Sequence, residues 1–459
     1  MLRLLSTLVL LAGLALGVGL WVGAGRAEGP TVEIHQPTRF IGQIGQFEAS
    51  VDTGNGELLA LTAHLTQGEL SIPLFSLATP EQATVNQESE SRFRVARALT
   101  REDYLELSQG PATVVVEATR AVLFGLRQAT STAQHDIVAR FEPPRLSVVS
   151  SLHYVNLGGA EVIVYRVTPP DAESGVRVAD LRFPGYPASA AGVEGADESL
   201  RVSTFALLHD QELNAPMRLY ARDEAGNEAE IDFDHRVFPR RFRRSRIPLS
   251  DGFLSQVIPE IVERSEELRK VAMPPDAGLL EQYLAINGGL RQLNRDRLLG
   301  LAAETAETKL WSEPFRQLGN SQVESGFADY RTYVYDGRDV DQQVHLGFDL
   351  AATANVPIAS ANAGRVIFAD YFGIYGNCVI VDHGLGLQSL YAHLSSIDVQ
   401  VGDAVTAETV LGRSGTTGLA GGDHLHFAML LHGRPVTPME WWDPNWIEDR
   451  INRKLRAVN

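Results

Sequence analysis

From Leu4 to Gly25 no charge interrupts the chain; Arg3 precedes the run and Arg26 closes it. A helix of that length crosses a bilayer, which takes about 20 apolar residues. The run is apolar on every side and terminal, so it does not read as a core helix. Its length favours an uncleaved anchor with the amino terminus inside, although Val22-Gly23-Ala24 and Gly25-Arg26-Ala27 offer small-residue cleavage sites. Residues 1–27 are therefore a signal anchor or signal peptide, and the rest of the chain is exported. Beyond them the apolar positions recur at the short period of strands. Thr31–Ile34, Thr113–Thr119 and Ile137–Phe141 predict a β-sandwich module over 30–142, with a turn at Asp52-Thr53-Gly54-Asn55-Gly56. Pro143-Pro144 punctuates the chain. Leu146–Ser150, Val162–Val167, Arg218–Arg222 and Ala229–Phe233 predict a second β-module over 144–236.

The period then lengthens. Ser250 is an N-cap, and Phe253, Val257, Ile261 and Leu268 recur at helical spacing, with Pro259 inside the pattern. Pro274-Pro275 breaks it, and a second helical stretch covers Leu279–Thr305. Residues 237–310 thus read as an Arg-rich linker and helical spacer. Residues 311–445 return to β-patterning, and 446–459 are a C-terminal tail. The fold class is mainly β.

Composition changes this picture little: 44% hydrophobic and 21% charged residues describe a globular chain. The net charge of −17 argues against nucleic acid as a partner, since phosphate binding needs a concentrated positive surface. Arg236, Arg240, Arg241, Arg243, Arg244 and Arg246 form the one basic cluster that stands out, read as a linker docking on an acidic protein in preference to a lipid or wall-phosphate site. A single cysteine, Cys378, precludes an intrachain disulfide and reads as a small buried hydrophobe.

Candidate chemistry gathers late in the chain, where six of the twelve histidines fall between 345 and 432. Val344–Leu350 alternates, so that as a strand it would turn His345, Gly347 and Asp349 to one face. His424–Met429 would likewise turn His424, His426 and Ala428 to one face. With His393 in Tyr391-Ala392-His393-Leu394, this is a surplus of imidazoles over the three protein ligands of a catalytic zinc site. The His-Glu-x-x-His helix of the commonest zinc proteases is absent.

The order His-x-x-x-Asp, Tyr-Ala-His-Leu, His-Leu-His-Phe resembles the lysostaphin or LytM-type zinc endopeptidases. Pro357-Ile358, Ala363–Val366, Val381–Gly384 and the Gly412–Gly422 stretch fit it, and the match covers 311–445. The resemblance implies a duplicated hybrid motif β-sandwich and one Zn2+ per chain held by His345, Asp349 and His426. It implies His393 and His424 as non-ligand catalytic residues, one taking a proton and one steadying the oxyanion. The implied reaction is metal-assisted hydrolysis of peptidoglycan stem or bridge peptides in the cell envelope, with the catalytic domain in the periplasm if the anchor stays. Two departures bear on groove shape: Ser325–Arg331 where the family more often has Phe-Gly before its arginine, and Asp423 where proline often precedes His424. The Asp223-Glu224-Ala225-Gly226-Asn227 turn resembles those of bacterial immunoglobulin-like modules. A non-catalytic peptidoglycan-binding regulator is the alternative, disfavoured because all five chemical positions are present. A biotinyl-like carrier fails because no lysine lies between 310 and 453.

Overall fold

The computed structural model describes residues 2–458 apart from Gln82 and Pro275, so the second half of the expected Pro274-Pro275 break lies outside the described residues. The chain forms two compact units, Met1–Pro144 with Arg222–Ala229, and Arg145–Ala221 with Glu230–Asn459. It is mainly β.

The first unit opens with the helix Leu2–Ala24, whose Thr7–Ala24 stretch is long and apolar enough to cross a membrane. Behind it two sheets enclose one core. Strands Thr31–Gln36, Ile44–Asp52, Arg92–Thr100 and Thr84–Gln87 make one sheet, and Arg127–Ala139, Gly110–Val122, Leu58–Gln67 and Leu70–Ser76, with the short Phe40–Ile41, make the other. Alternation explains the packing: Leu61, Ala63 and Leu65 point inward, as do Val114, Val116 and Ala118.

Residues 145–238, all but 222–229 of them in the second unit, form two four-stranded sheets plus a parallel pair, His153–Asn156 with His235–Phe238. The Asp223–Asn227 turn is closed by its own side chains, Asp223 accepting from the Asn227 backbone N–H at 2.9 Å and from its amide at 3.0 Å.

The stretch read as linker and spacer is built into the C-terminal domain. Arg244–Leu249 is a strand, pairing in parallel with Asp329–Tyr335, which pairs in turn with Arg338–His345. Several of its arginines are used within the protein: Arg246 pairs with Asp339, Arg240 donates to Thr437, and Arg244 lies over the Tyr330 ring. Ser250 caps the helix Asp251–Arg264, accepting from Phe253 N–H at 3.3 Å. Helical backbone resumes at Leu279 and runs to Glu304 through a π-turn at Ala285–Leu290. These helices bury Leu254, Val257, Ile261, Tyr283 and Ile286 against Tyr333 and Ile374, and Leu298 against Phe368 and Phe372.

Most of the remaining strands form an eight-stranded sheet in which Leu387–Leu394 and Leu425–Leu431 are buried along their whole length. Cys378 is fully buried there. Trp441 packs on Trp311, Phe315 and Trp446, closing the domain. The C-terminal residues do not trail free as the expected tail: Ile447, Ile451 and Leu455 enter the core, and Lys454 Nζ reaches Glu161 Oε1 and the Val162 carbonyl, each at 2.8 Å. Both partners are buried, and burial pushes the Glu161 carboxyl up while Lys454 opposes it. Lys454→Met should therefore strand a buried carboxylate and cost about 3–5 kcal/mol, read as a lower urea midpoint for this unit. The Glu161→Leu, Lys454→Met double variant should recover most of that loss.

Candidate metal centre and its cavity

Three strands bring the chemical residues together. His345 ends Arg338–His345 in the three-stranded sheet, Asp349 lies in Phe348–Ala351, and His426 lies in Leu425–Leu431. Asp349 and His426 are register partners, as are Ala392 and His426, so neighbouring strands set these side chains side by side. The expected single strand Val344–Leu350 is a correction. The chain leaves one sheet at Leu346-Gly347 and enters another, so His345 reaches the site from a different sheet than Asp349. Gly347 allows that crossing: a Cβ there would lie 2.6 Å from His426 Cε1 and Nε2 and 2.7 Å from the Phe427 carbonyl oxygen. The His426 strand also departs from the expected open polar face, because Ala428 and Leu430 are buried in the cluster that includes Leu298.

His345 Nε2, Asp349 Oδ1 and His426 Nδ1 form a triangle with sides of 2.9, 3.0 and 3.0 Å. His345 Nδ1 faces the Gly326 carbonyl at 3.0 Å and donates to it, which leaves a lone pair on Nε2. A hydrogen on His426 Nδ1 would serve one side of the triangle and leave His345 Nε2 and Asp349 Oδ1 facing each other as acceptors. One cation would serve all three, and two imidazoles with a carboxylate are a zinc-type donor set. The other Asp349 oxygen accepts from Arg331 Nη2 at 3.0 Å; Arg331 also donates to Ser325 Oγ and lies 3.6 Å from Asp329, which Ser245 holds at 2.8 Å. Burial would raise the Asp349 carboxyl, but His345, His424 and His426 outweigh it and hold it well below the usual carboxylate range. Burial pushes the His426 imidazole down to about 4, against Asp349.

His393 and His424 stand beside the triangle with ring centroids 4.8 Å apart. His393 Nδ1 donates to the Thr417 carbonyl at 2.7 Å and His424 Nδ1 to the Gly422 carbonyl at 2.8 Å, so each offers Nε2 as its free nitrogen. His424 Nε2 lies 3.5 Å from Asp349 Oδ1. His393 has φ of 61°, a left-handed backbone that non-glycine residues adopt at some cost. Asp423 takes over the anchoring of the loop before His424, accepting from Ser414 Oγ at 2.6 Å and from Asn355 N–H at 3.1 Å.

All five residues line one cavity of about 460 Å3. Part of its wall comes from the helical stretch, as Phe253, Tyr283 and Arg291, together with Tyr375 and Leu419. Sequence reasoning missed these, since nothing in their local pattern marks a site. His383 is outside the cavity, fully buried between the Ala363 carbonyl and Ser389 Oγ at 2.7 Å each, and His432 stacks on Tyr186.

Residues 343–438 match peptidase family M23. The chain is 37% identical to the DD-carboxypeptidase/endopeptidase Mpg of Neisseria meningitidis serogroup B over 97 residues, 21% of this chain and 22% of that protein. It is 34% identical to the peptidoglycan DD-endopeptidase ShyB of Vibrio cholerae over 119 residues, 26% of this chain and 27% of that one. The chain thus spans about a quarter of the length of the curated relatives it matches. Among solved structures, the catalytic domain of lysostaphin from Staphylococcus simulans is similar over 27% of this chain and 94% of its own, with 26% identity and a TM-score of 0.24. The chain thus carries a peptidase M23 domain, matched over residues 343–438.

Proposed function

We propose that the chain is a zinc-dependent endopeptidase that hydrolyses peptide cross-links of bacterial peptidoglycan. The convergence of His345, Asp349 and His426 on one point, with His393 and His424 beside them in one cavity, carries this reading. His345, Asp349 and His426 would hold the ion, which when bound supplies Lewis acidity toward a carbonyl oxygen and makes water acidic enough to attack near neutral pH. Arg331 fixes one Asp349 oxygen and leaves the other to the metal; the Gly326 carbonyl sets the His345 tautomer. Of the Nε2 atoms on His393 and His424, one takes a proton from the attacking water, and the other donates to the developing oxyanion with its ring in the imidazolium form, since Nδ1–H is already given to a backbone carbonyl. The names of the relatives, two of which state endopeptidase activity and one peptidoglycan, support the substrate.

Zinc-loaded protein incubated with purified cross-linked muropeptides should give new amino and carboxyl termini at one amide, identified by mass spectrometry. Intact cross-links after incubation with fully loaded protein would refute the activity. The helix Leu2–Ala24 supports a place in the inner membrane with the rest of the chain in the periplasm, or export if it is removed. Fractionation should then find the protein with membranes and its C-terminal domain open to protease from the outer side only. A soluble form starting near Ala24 or Glu28 would instead mark a cleaved signal. We take 30–142 and 144–236 as immunoglobulin-like modules and 311–445 as a duplicated hybrid motif domain, on their paired sheets and strand order. Limited proteolysis should cut near 143–144 first and leave 237–459 in one piece.

A further inference from the structure

Two arginines of the helical stretch take no part in holding the metal or moving protons. Arg291 lines the catalytic cavity, and Arg295 lines the neighbouring cleft with Arg244 and Gln292; Arg331 lines both spaces. The Arg291 guanidinium is pinned along one edge. Its Nε donates to the Asn287 carbonyl at 3.0 Å and its Nη2 to Asn287 Oδ1, while the fully buried Asn287 donates to Asp341 Oδ2 at 2.7 Å. Among the described residues, Nη1 has no hydrogen-bond partner, and no carboxylate lies within ion-pair distance of Arg291 or Arg295. Arg246 pairs with Asp339, Arg297 with Glu267 and Arg331 with Asp349, while Arg244 in the neighbouring cleft lies over the Tyr330 ring without an ion pair among the described residues.

On a chain of net charge −17 this is an unusual place to leave two guanidinium groups without counter-ions. They lie four residues apart on one helix, where like charges repel. Burial and Arg291 both push Arg295 down. A half-buried cation held rigid and unpaired is stabilised when a ligand brings the anion, and the planar fork of arginine suits a carboxylate. The residues that hold Arg291 in place all lie outside the stretch matched to the family.

Resting on the endopeptidase reading, we propose that Arg291 is a specificity-determining residue that binds a free carboxylate of the peptide beside the scissile amide. The substrate class is then an acidic peptide, and Arg295 and Arg244 extend the same preference into the neighbouring cleft. The probe is a pair of synthetic cross-linked stem peptides, identical except that the carboxyl group next to the scissile amide is free in one and amidated in the other. Calorimetric binding to full-length His424→Ala protein should favour the acid by about tenfold, the range of a hydrogen bond to a charged group. Adding Arg291→Gln should cost the acid about tenfold more than the amide, and Arg291→Lys should retain part of the preference. In wild-type turnover the preference should appear in KM more than in kcat. Equal affinity for the two peptides, or equal losses on Arg291→Gln, would overturn the proposal even if both are cut. A binding preference in a wild type that cuts neither would uphold the carboxylate site and remove the endopeptidase reading instead.

Discussion

Alanine at His345, Asp349 or His426 should strip the protein of zinc and abolish hydrolysis with it. Each side chain supplies one corner of a triangle about 3 Å on a side, and two remaining donors cannot hold the ion against dialysis. Elemental analysis of dialysed protein reads the metal directly, separately from activity. The three losses should not be equivalent in stability. Asp349→Ala also removes the partner of Arg331, whose guanidinium is largely shielded and would be left with Ser325 and a more distant Asp329. It should therefore lower the melting temperature more than His426→Ala does. Arg331→Met should act through Asp349, weakening zinc binding by about 10–100-fold without removing a ligand. Stoichiometric zinc in any of the three alanine variants would show that the ligand set is wrong.

The motifs were legible because strands put alternate residues on one face, and a metal centre needs ligands at fixed short separations. His345, Asp349, His424 and His426 stood out that way, His393 and the division into ligands and non-ligands came from the resemblance, and the structure brings all five into one cavity. The sheet change at Leu346-Gly347 was not legible: alternation continues across it, and only the clash a Cβ would make with His426 shows why the chain must turn there. The helical stretch was found in sequence through Ser250 and the Phe253, Val257, Ile261 spacing. Its role was not, because what an apolar stripe packs on is set by the partner. The first helix packs on Tyr333 of the three-stranded sheet and on Ile374, whereas Leu298 of the later one packs on the sheet carrying His426, whose site-side face proves to be apolar beyond the histidine at Ala428 and Leu430. The same holds for the last residues of the chain. Their helix docks through Lys454 onto Glu161, nearly three hundred residues earlier, a pairing that no local pattern announces.

His393 and His424 should fail differently from the ligands. Neither ring belongs to the triangle, so His393→Ala and His424→Ala should keep near-stoichiometric zinc. Turnover should still fall by about 10²–10⁴-fold, the usual worth of positioned acid–base help. The two differ in what else the replacement disturbs. His424 is half-buried on a loop that Asp423 ties to Ser414 and Asn355, so the loop should survive loss of the ring. His393 is buried, at a φ of 61°, and its Nδ1 secures the Thr417 carbonyl. Alanine there leaves that carbonyl without its donor, whereas asparagine tolerates the left-handed backbone and can donate from its amide. His393→Asn should accordingly melt closer to the wild type than His393→Ala does, while both lose turnover alike. That comparison separates the ring's chemistry from its hold on the backbone. Release of zinc by His393→Asn would make His393 a ligand, and near-normal turnover in that variant would leave the proton handling to His424 alone.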